Sequence, residues 1–356
     1  MKLRTIKHMA IATVLAVGMS AYSDIAKLGV LVVDDTTGRP IPNVKVTGIF
    51  HKDNGWLRVK GPPEPDIDEV VTDANGRCRV WGRTNIGKVF CSIDSELPGY
   101  YWEMQGAGHN FRHKNLFGIW QPDNLVVTIR LQRVEHPIPL FVKYVSNASP
   151  VSGSRDIFPN GEDTVRYDLV MGDWLPPVGS GKVADVEFTR HPRKTLYEIE
   201  IQKFGEKKKY EAYRDSMMVN FLGKDNGLME LHPPPDLGLR IRTAPGTGYS
   251  STYESWHQTD FVDGSFVTRK VTKSYDENRC FCFRIRTRHD ASGKIVEAYY
   301  GKIYGDIYFS WGVSNVCMLY YLNLTPLDRN LEWDRKTNLN PEKMRMGYEY
   351  QNNCRP

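Results

Sequence analysis

From Leu28 to Leu131 the chain is a succession of short β-branched runs cut by tight-turn chemistry, with no helical period of apolar residues between them. That rhythm dictates a sheet protein, because side chains alternating at period two bury one face of a pleated strand. Leu28 to Val33 is the first run, and Pro42 to Ile49 the second, with Val44 and Val46 on one face. Val70 to Thr72, Arg77 to Trp81, Lys88 to Ile93 and Leu125 to Leu131 follow. Strands at this spacing predict a β-sandwich.

The turns between these runs carry a resemblance. Gly29, then Asp35-x-Thr37-Gly38-x-Pro40-Ile41-x-Asn43-Val44-x-Val46, then Thr72-Asp73-x-Asn75-Gly76 before a strand, resembles the carboxypeptidase regulatory-like domain, a transthyretin-like sandwich. Each residue has a mechanical reason. Gly38 supplies a turn that other residues resist, Pro40 stiffens the next strand's entry, and Asn75-Gly76 suits a hairpin. The resemblance covers about a hundred residues and implies a non-catalytic accessory to a neighbouring domain. The chain departs from the family in an insert from Leu97 to Gln121, which holds Tyr100, Tyr101, Trp102, His109, His113 and Trp120.

His136-Pro-Ile-Pro139 and the Ser, Asn, Pro and Gly content of residues 146–163 read as a boundary and a linker. Beyond it the pattern is again strand-like, with alternation in Lys182 to Phe188 and Leu196 to Ile201. Arg279 to Arg288 places Phe281, Phe283 and Ile285 on one face and Arg284, Arg286 and Arg288 on the other. Asp290-Ala-Ser-Gly293 turns the chain into Lys294 to Phe309, and a four-residue loop sets Arg286 opposite Glu297 and Arg284 opposite Tyr299. The expectation is therefore all-β: two β-sandwich domains at 24–145 and 164–356, the first transthyretin-like or Ig-like, joined by a linker at 146–163. The second domain resembles no family.

Residues 1–23 order a basic start (Lys2, Arg4, Lys7), an apolar run from Met9 to Met19, and small residues Ala21 and Ser23. This is the pattern of a secretory signal peptide cleaved near Ser23, and the run is shorter than the roughly 20 residues a spanning helix needs. A secreted or periplasmic location follows. Losing Lys2, Arg4 and Lys7 lowers the net charge from +5 to +2, too little for a nucleic-acid footprint. The strongest basic run, Glu206-Lys-Lys-Lys209 beside Gly205, reads as a solvated turn.

Six cysteines, Cys78, Cys91, Cys280, Cys282, Cys317 and Cys354, make disulfides plausible in an oxidising compartment. Cys280 and Cys282 share a strand face and do not bond each other readily, which leaves Cys317 and Cys354 as their partners. Buried thiols are the alternative. Their spacing does not fit zinc.

The chemistry-bearing candidates are aromatic. Tyr300, Tyr304 and Tyr308 share a strand face with Lys302 and Asp306, an arrangement that stacks on sugar rings, or only stabilises a sheet. The insert's Tyr100, Tyr101, Trp102 and Trp120 form a loop cluster of the kind a rigid sandwich presents to ligands. Glu254, Trp256, His257 and Asp260 form a mixed cluster that a hydrolase or a polar loop would use equally. His109 and His113 lack the helix and the nearby acid that a metal site would need. Asp173 to Lys182 fails as a phosphate loop, because Pro176 and Val183 stand where Gly and Ser or Thr are required. The carboxylate pairs Asp66 and Asp68, and Glu198 and Glu200, read as surface charge. Asn147-Ala-Ser149 and Asn323-Leu-Thr325 match the glycosylation sequon.

The sequence thus points to an exported, non-catalytic binding or accessory protein whose partner is a glycan or an envelope protein. It carries no cofactor motif, no metal motif, no nucleic-acid signature and no transmembrane segment. An exported polysaccharide hydrolase and a purely structural envelope component are the alternatives, and the oligomeric state stays open.

Overall fold

The computed structural model describes residues 24–53, 63–101, 106–145, 148–149, 153–154, 163–203, 206–231, 241–262, 268–276, 279–310 and 315–341. The proposed leader at 1–23, Trp102 and Cys354 lie outside them. The described residues are all-β, without a helix, and so hold no helix long and apolar enough to cross a membrane. Two compact units divide the chain, Met1–Glu135 and His136–Pro356.

In the first unit two four-stranded sheets enclose one core. One runs Arg77–Arg83, Ile25–Asp34, Val126–Arg133, Tyr100–Tyr101; the other runs Asp66–Val71, Lys45–Phe50, Lys88–Ser92, Gly106–Asn110. Leu28, Val30 and Val32 from the first sheet meet Val46, Phe50, Val89 and Cys91 from the second. The turn at Asp73–Gly76 is tight, with Asn75 and Arg77 N–H groups donating to Asp73 Oδ1 at 2.8 Å. Gly76 is required there: its φ is +68° and a Cβ would lie 2.6 Å from the Val32 carbonyl oxygen. The strands it joins lie in different sheets, so Asn75-Gly76 makes a sheet-to-sheet corner and not the hairpin its dipeptide predicts.

Buried Asp34 organises the neighbouring turn, whose Pro40 abuts Gly76. Its carboxylate accepts from Thr37 N (2.7 Å), Thr37 Oγ1 (2.8 Å), Tyr100 Oη (3.0 Å) and Arg133 Nε. Burial opposes its ionisation, yet Arg133, Thr37 and Tyr100 hold the carboxyl far below the usual carboxylate range. A lowered folded-state value makes this stabilisation complete above the unfolded value of 3.8 and progressively lost as pH falls toward the folded one. Asp34→Asn is expected to destabilise the first unit by about 1–3 kcal/mol at pH 7. The gap to wild type should shrink in urea titrations between pH 4 and pH 2; a gap independent of pH would refute the ionic account.

The second unit packs two six-stranded sheets around the largest apolar cluster. One sheet runs Gly227–Leu231, Cys280–His289, Ile295–Ser310, Asn315–Asn323, Ile138–Val145, Trp333–Asn338. The other runs Asp173–Trp174, Thr164–Asp168, Val186–Lys203, Glu206–Phe221, Thr252–Val262, Thr268–Lys273. Phe281, Phe283 and Ile285 are fully buried in the cluster between them, as alternation predicts.

Three expectations are corrected. First, Ile138–Val145 pairs with Asn315–Asn323 and Trp333–Asn338, so the unit boundary falls after Glu135 and ahead of the expected linker. Pro139 is tolerated because the register shifts between Ile138 and Leu140, so no ladder bond is asked of it. Second, the run at Lys207 is not a turn but the start of the Glu206–Phe221 strand, whose lysines face glutamates of Val186–Lys203. Third, Arg288 and not Arg286 opposes Glu297, with an ion pair of 2.7 Å, and Arg284 opposes Tyr300. The turn pairs His289 with Ile295, one residue off the expected register, and irregularities on both sides of Arg288 shift its own pairing further. Arg286 adopts a left-handed φ of 52°.

The bulge between Ile285 and Arg288 turns Arg286 onto the opposing sheet. Its guanidinium donates to Asp168 Oδ1 at 2.6 Å and to Asp185 Oδ1 and Oδ2 at 2.9 and 3.0 Å. Asp168 also accepts from the Val170, Met171, Lys182 and Val183 N–H groups. Burial works against its charge, but the backbone donors and Arg286 keep its carboxyl below the ordinary range.

Cys78, Cys91, Cys280 and Cys282 are thiols, so the disulfides predicted for them are not formed. Cys282 is fully buried with Ala244, Ala298, Tyr300 and Leu331, and Cys280 Sγ donates to the Leu231 carbonyl at 3.4 Å. Burial pushes the Cys280 thiol up to about 11 and the Cys282 thiol up to about 12.

Candidate functional site

The predicted stripe of Tyr300, Tyr304 and Tyr308 is split by the backbone. Within Ile295–Ser310 the register slips between Tyr304 and Tyr308, and Gly305 takes a φ of +79°. Tyr300, 5% exposed, is packed beneath Ala244 and Leu331. Tyr304 packs against Leu140, Val142, Leu319 and Tyr321. Lys302 is buried, donating to the Ile241 carbonyl at 3.0 Å. Only Tyr308 of the three tyrosines is in the exposed class, at 39%.

Beyond the bulge, Tyr308 joins a cleft of about 400 Å³ lined by Ser255, Trp256, His257, Lys273, Tyr275 and Phe309 as well. The antiparallel pairing of Thr252–Val262 with Thr268–Lys273 sets His257 opposite Lys273. The next residue, Ser274, clamps the wall: Trp256 N donates to Ser274 Oγ at 2.8 Å, and Ser274 N donates to Trp256 O at 2.9 Å. Tyr275 and Tyr308 meet edge to face with ring centroids 5.2 Å apart. Lys273 Nζ lies 4.5 Å from the centre of the Tyr275 ring, and the Arg214 guanidinium lies 4.5 Å from that of Trp256.

A part-buried polar network anchors the segment that carries Tyr275. Arg279 donates through Nη1 to Asp306 Oδ2 (2.7 Å), Tyr253 Oη (2.8 Å) and the Ser274 carbonyl (2.8 Å), and through Nε to Glu230 (2.7 Å). Asp306 further accepts from Tyr253 Oη at 2.9 Å and Asp276 N at 2.9 Å. The segment carrying Tyr275 is thus tied down on both sides of the ring, and the aromatic wall is set before any ligand arrives.

The other predicted acids are occupied structurally. Glu254 lies 3.5 Å from Arg214, and Asp260 accepts from Gln258 Nε2 at 2.8 Å. Asp66 and Asp68 accept from the Arg83 and Trp81 N–H groups at 2.9 Å. No carboxylate is among the described residues lining the cleft. The described aromatic candidates of the first unit, Tyr100, Tyr101 and Trp120, each have structural partners. Tyr100 serves Asp34, Tyr101 is buried opposite Gln132, and Trp120 Nε1 donates to the Thr84 carbonyl at 2.7 Å. His109 lies edge to face on Phe111 at 4.8 Å, and no metal-holding group of His, Cys, Asp and Glu occurs among the described residues. The Asn323 sequon is buried, with Asn323 Nδ2 donating to Asp328 Oδ2 and the Asn330 carbonyl.

Lys273 and Tyr275 were missed by sequence reasoning. The signal available was the alternation Val271-x-Lys273-x-Tyr275 after Phe266, too short to stand out without its pairing partner.

Two β-sandwich units, the second with an open aromatic cleft, are what the fold and site define. No protein-family model matches the chain, and no match to it was found among curated proteins. Among solved structures it is similar to a streptococcal ancillary pilin at 8% identity, over 70% of this chain and 59% of that one, with a TM-score of 0.22. A DUF3823 family protein from Parabacteroides merdae shares 8% identity over 83% of this chain and 96% of that one, with a TM-score of 0.21. The major pilin SpaD of Corynebacterium diphtheriae shares 11% identity over 86% and 84%, with a TM-score of 0.24.

Proposed function

We propose that this chain is an exported, non-catalytic binding protein of the cell envelope or exterior that holds a glycan in the cleft of its second unit. The observation that carries the reading is one open cleft with Trp256, Tyr275 and Tyr308 among its lining residues and no carboxylate among those described. Ring faces stack on the C–H surfaces of a pyranose, while Ser255, His257 and Lys273 offer hydrogen bonds to its hydroxyls. A glycosidase needs two carboxylates flanking the scissile bond, which favours retention over cleavage. Export is supported by the signal-peptide pattern of residues 1–23, and an accessory role for the first unit by its resemblance to the carboxypeptidase regulatory-like domain.

A glycan array probed with the wild-type chain and with Trp256→Ala and Tyr308→Ala tests this reading. Loss of one stacked ring is expected to weaken a bound glycan about five- to tenfold, with the melting temperature checked for each variant. Equal binding by both variants, or no glycan bound at all, would overturn the site. Sugar released into the supernatant would overturn the non-catalytic assignment.

A further inference from the structure

The hairpin of Val186–Lys203 and Glu206–Phe221 is longer than the sheet that holds it. Thr164–Asp168 flanks its first strand only as far as Thr189, and Thr252–Val262 flanks the second only from Tyr213 onward. Residues 194–203 and 206–212 therefore form a two-stranded ribbon, with no flanking strand on either outer edge among the described residues. Such a ribbon is marginal in water by itself, and each edge presents a row of backbone N–H and C=O groups ready to pair.

Charge differs between the two edges. On one face the first strand carries Glu198 and Glu200, and the second carries Lys207, Lys209 and Glu211, the last standing directly opposite Glu198. Glu200 meets Lys207 at 3.7 Å and Glu198 meets Lys209 at 3.8 Å, these four side chains being between 49% and 75% exposed. On the other face Ile199 stands opposite Tyr210 and Tyr197 opposite Ala212.

We infer that this ribbon is a docking edge for a second copy of the same chain. The glutamate strand of one molecule pairs antiparallel with the lysine strand of the next. A copy displaced sideways by one hairpin presents its second strand to the first strand in the orientation already used within the hairpin. The pairs Glu200–Lys207 and Glu198–Lys209 then recur between molecules. Two-fold pairing of like strands would instead set Glu against Glu or Lys against Lys, which cross-strand electrostatics disfavours. The contact is therefore heterologous, and a heterologous contact propagates into an open assembly unless its rotation closes a ring.

Sedimentation velocity on the full chain, across protein concentration and at low and high NaCl, tests the proposal. Wild type is expected to grow beyond monomer with concentration and to dissociate as salt screens the pairs. The charge-reversed variants Glu198→Lys/Glu200→Lys and Lys207→Glu/Lys209→Glu are each expected to self-associate about tenfold more weakly, since two cross-strand pairs change sign. Mixing the two variants in equal amounts should restore association, because each then offers the edge the other lacks. That restoration also separates a lost interface from a lost fold. A wild type that stays monomeric throughout, variants that associate like wild type, or a mixture no stronger than its components would each overturn the inference.

Discussion

Replacing Arg286 with Ala is expected to cost the second unit about 3–5 kcal/mol of unfolding free energy, among the largest effects of any single change in this chain. The loss is not that of one surface ion pair. Arg286 is the countercharge for both Asp168 and Asp185, whose side chains are 1% and 2% exposed, and its removal strands two carboxylates between the sheets. Arg286→Lys should recover part of the loss, since an ammonium cannot reproduce the fork that spans both acids. Arg286→Gly should be more stable than Arg286→Ala by about 1 kcal/mol, because the backbone there is left-handed at φ 52°. The decisive variant is Arg286→Ala combined with Asp168→Asn and Asp185→Asn. If stranded charge is the cause, chemical denaturation should show the triple variant more stable than the single one; a strictly additive triple would refute that account.

The second large effect is expected at Phe283, where Phe283→Ala should cost about 3–5 kcal/mol. Its ring is fully buried and lies over Gly301, its partner in the antiparallel ladder. A Cβ on Gly301 would stand 2.1 Å from the Phe283 ring, nearer than any real contact, so Gly301→Ala alone should cost about 1–3 kcal/mol by overpacking. The two changes are not independent. In the double variant the new methyl enters space vacated by the ring, and the combined loss should fall below the sum of the singles. Equilibrium urea unfolding of the four proteins in this cycle measures the coupling, and simple additivity would show that the ring does not rest on Gly301.

Both predictions sit where local reading and tertiary structure part company. Phe281, Phe283 and Ile285 are legible as one buried face because strand alternation is a covalent property of extended backbone. Arg286 is not legible. Alternation assigns it to the face opposite Ile285, and only the bulge before Arg288 brings it to Asp168 and Asp185, over a hundred and about a hundred residues earlier in the chain. The tyrosine stripe fails for the same reason. A slip at Gly305 sends Tyr304 and Tyr308 to different surroundings, and the cleft takes only the latter. Of the aromatic candidates, Trp256 and Tyr308 reach the cleft, but no spacing rule connects a residue on Thr252–Val262 with one on Ile295–Ser310. In the first unit, loop-like composition does not reveal a side chain's partner: Tyr100 has the Asp34 carboxylate and Trp120 the Thr84 carbonyl.

The sequence by itself determined the all-β class, the tight turns at Gly38 and Gly76, and the buried faces of Val44 with Val46 and of Phe281, Phe283 and Ile285. These depend on backbone geometry and on alternation within a few residues, so neighbours in the chain suffice to set them. Tertiary structure alone decided the unit boundary after Glu135, the sheet to which each strand belongs, the two charge networks at Arg286 and Arg279, and the cleft. Each of those depends on strand pairing across long separations, and a single bulge shifts the register of every residue beyond it.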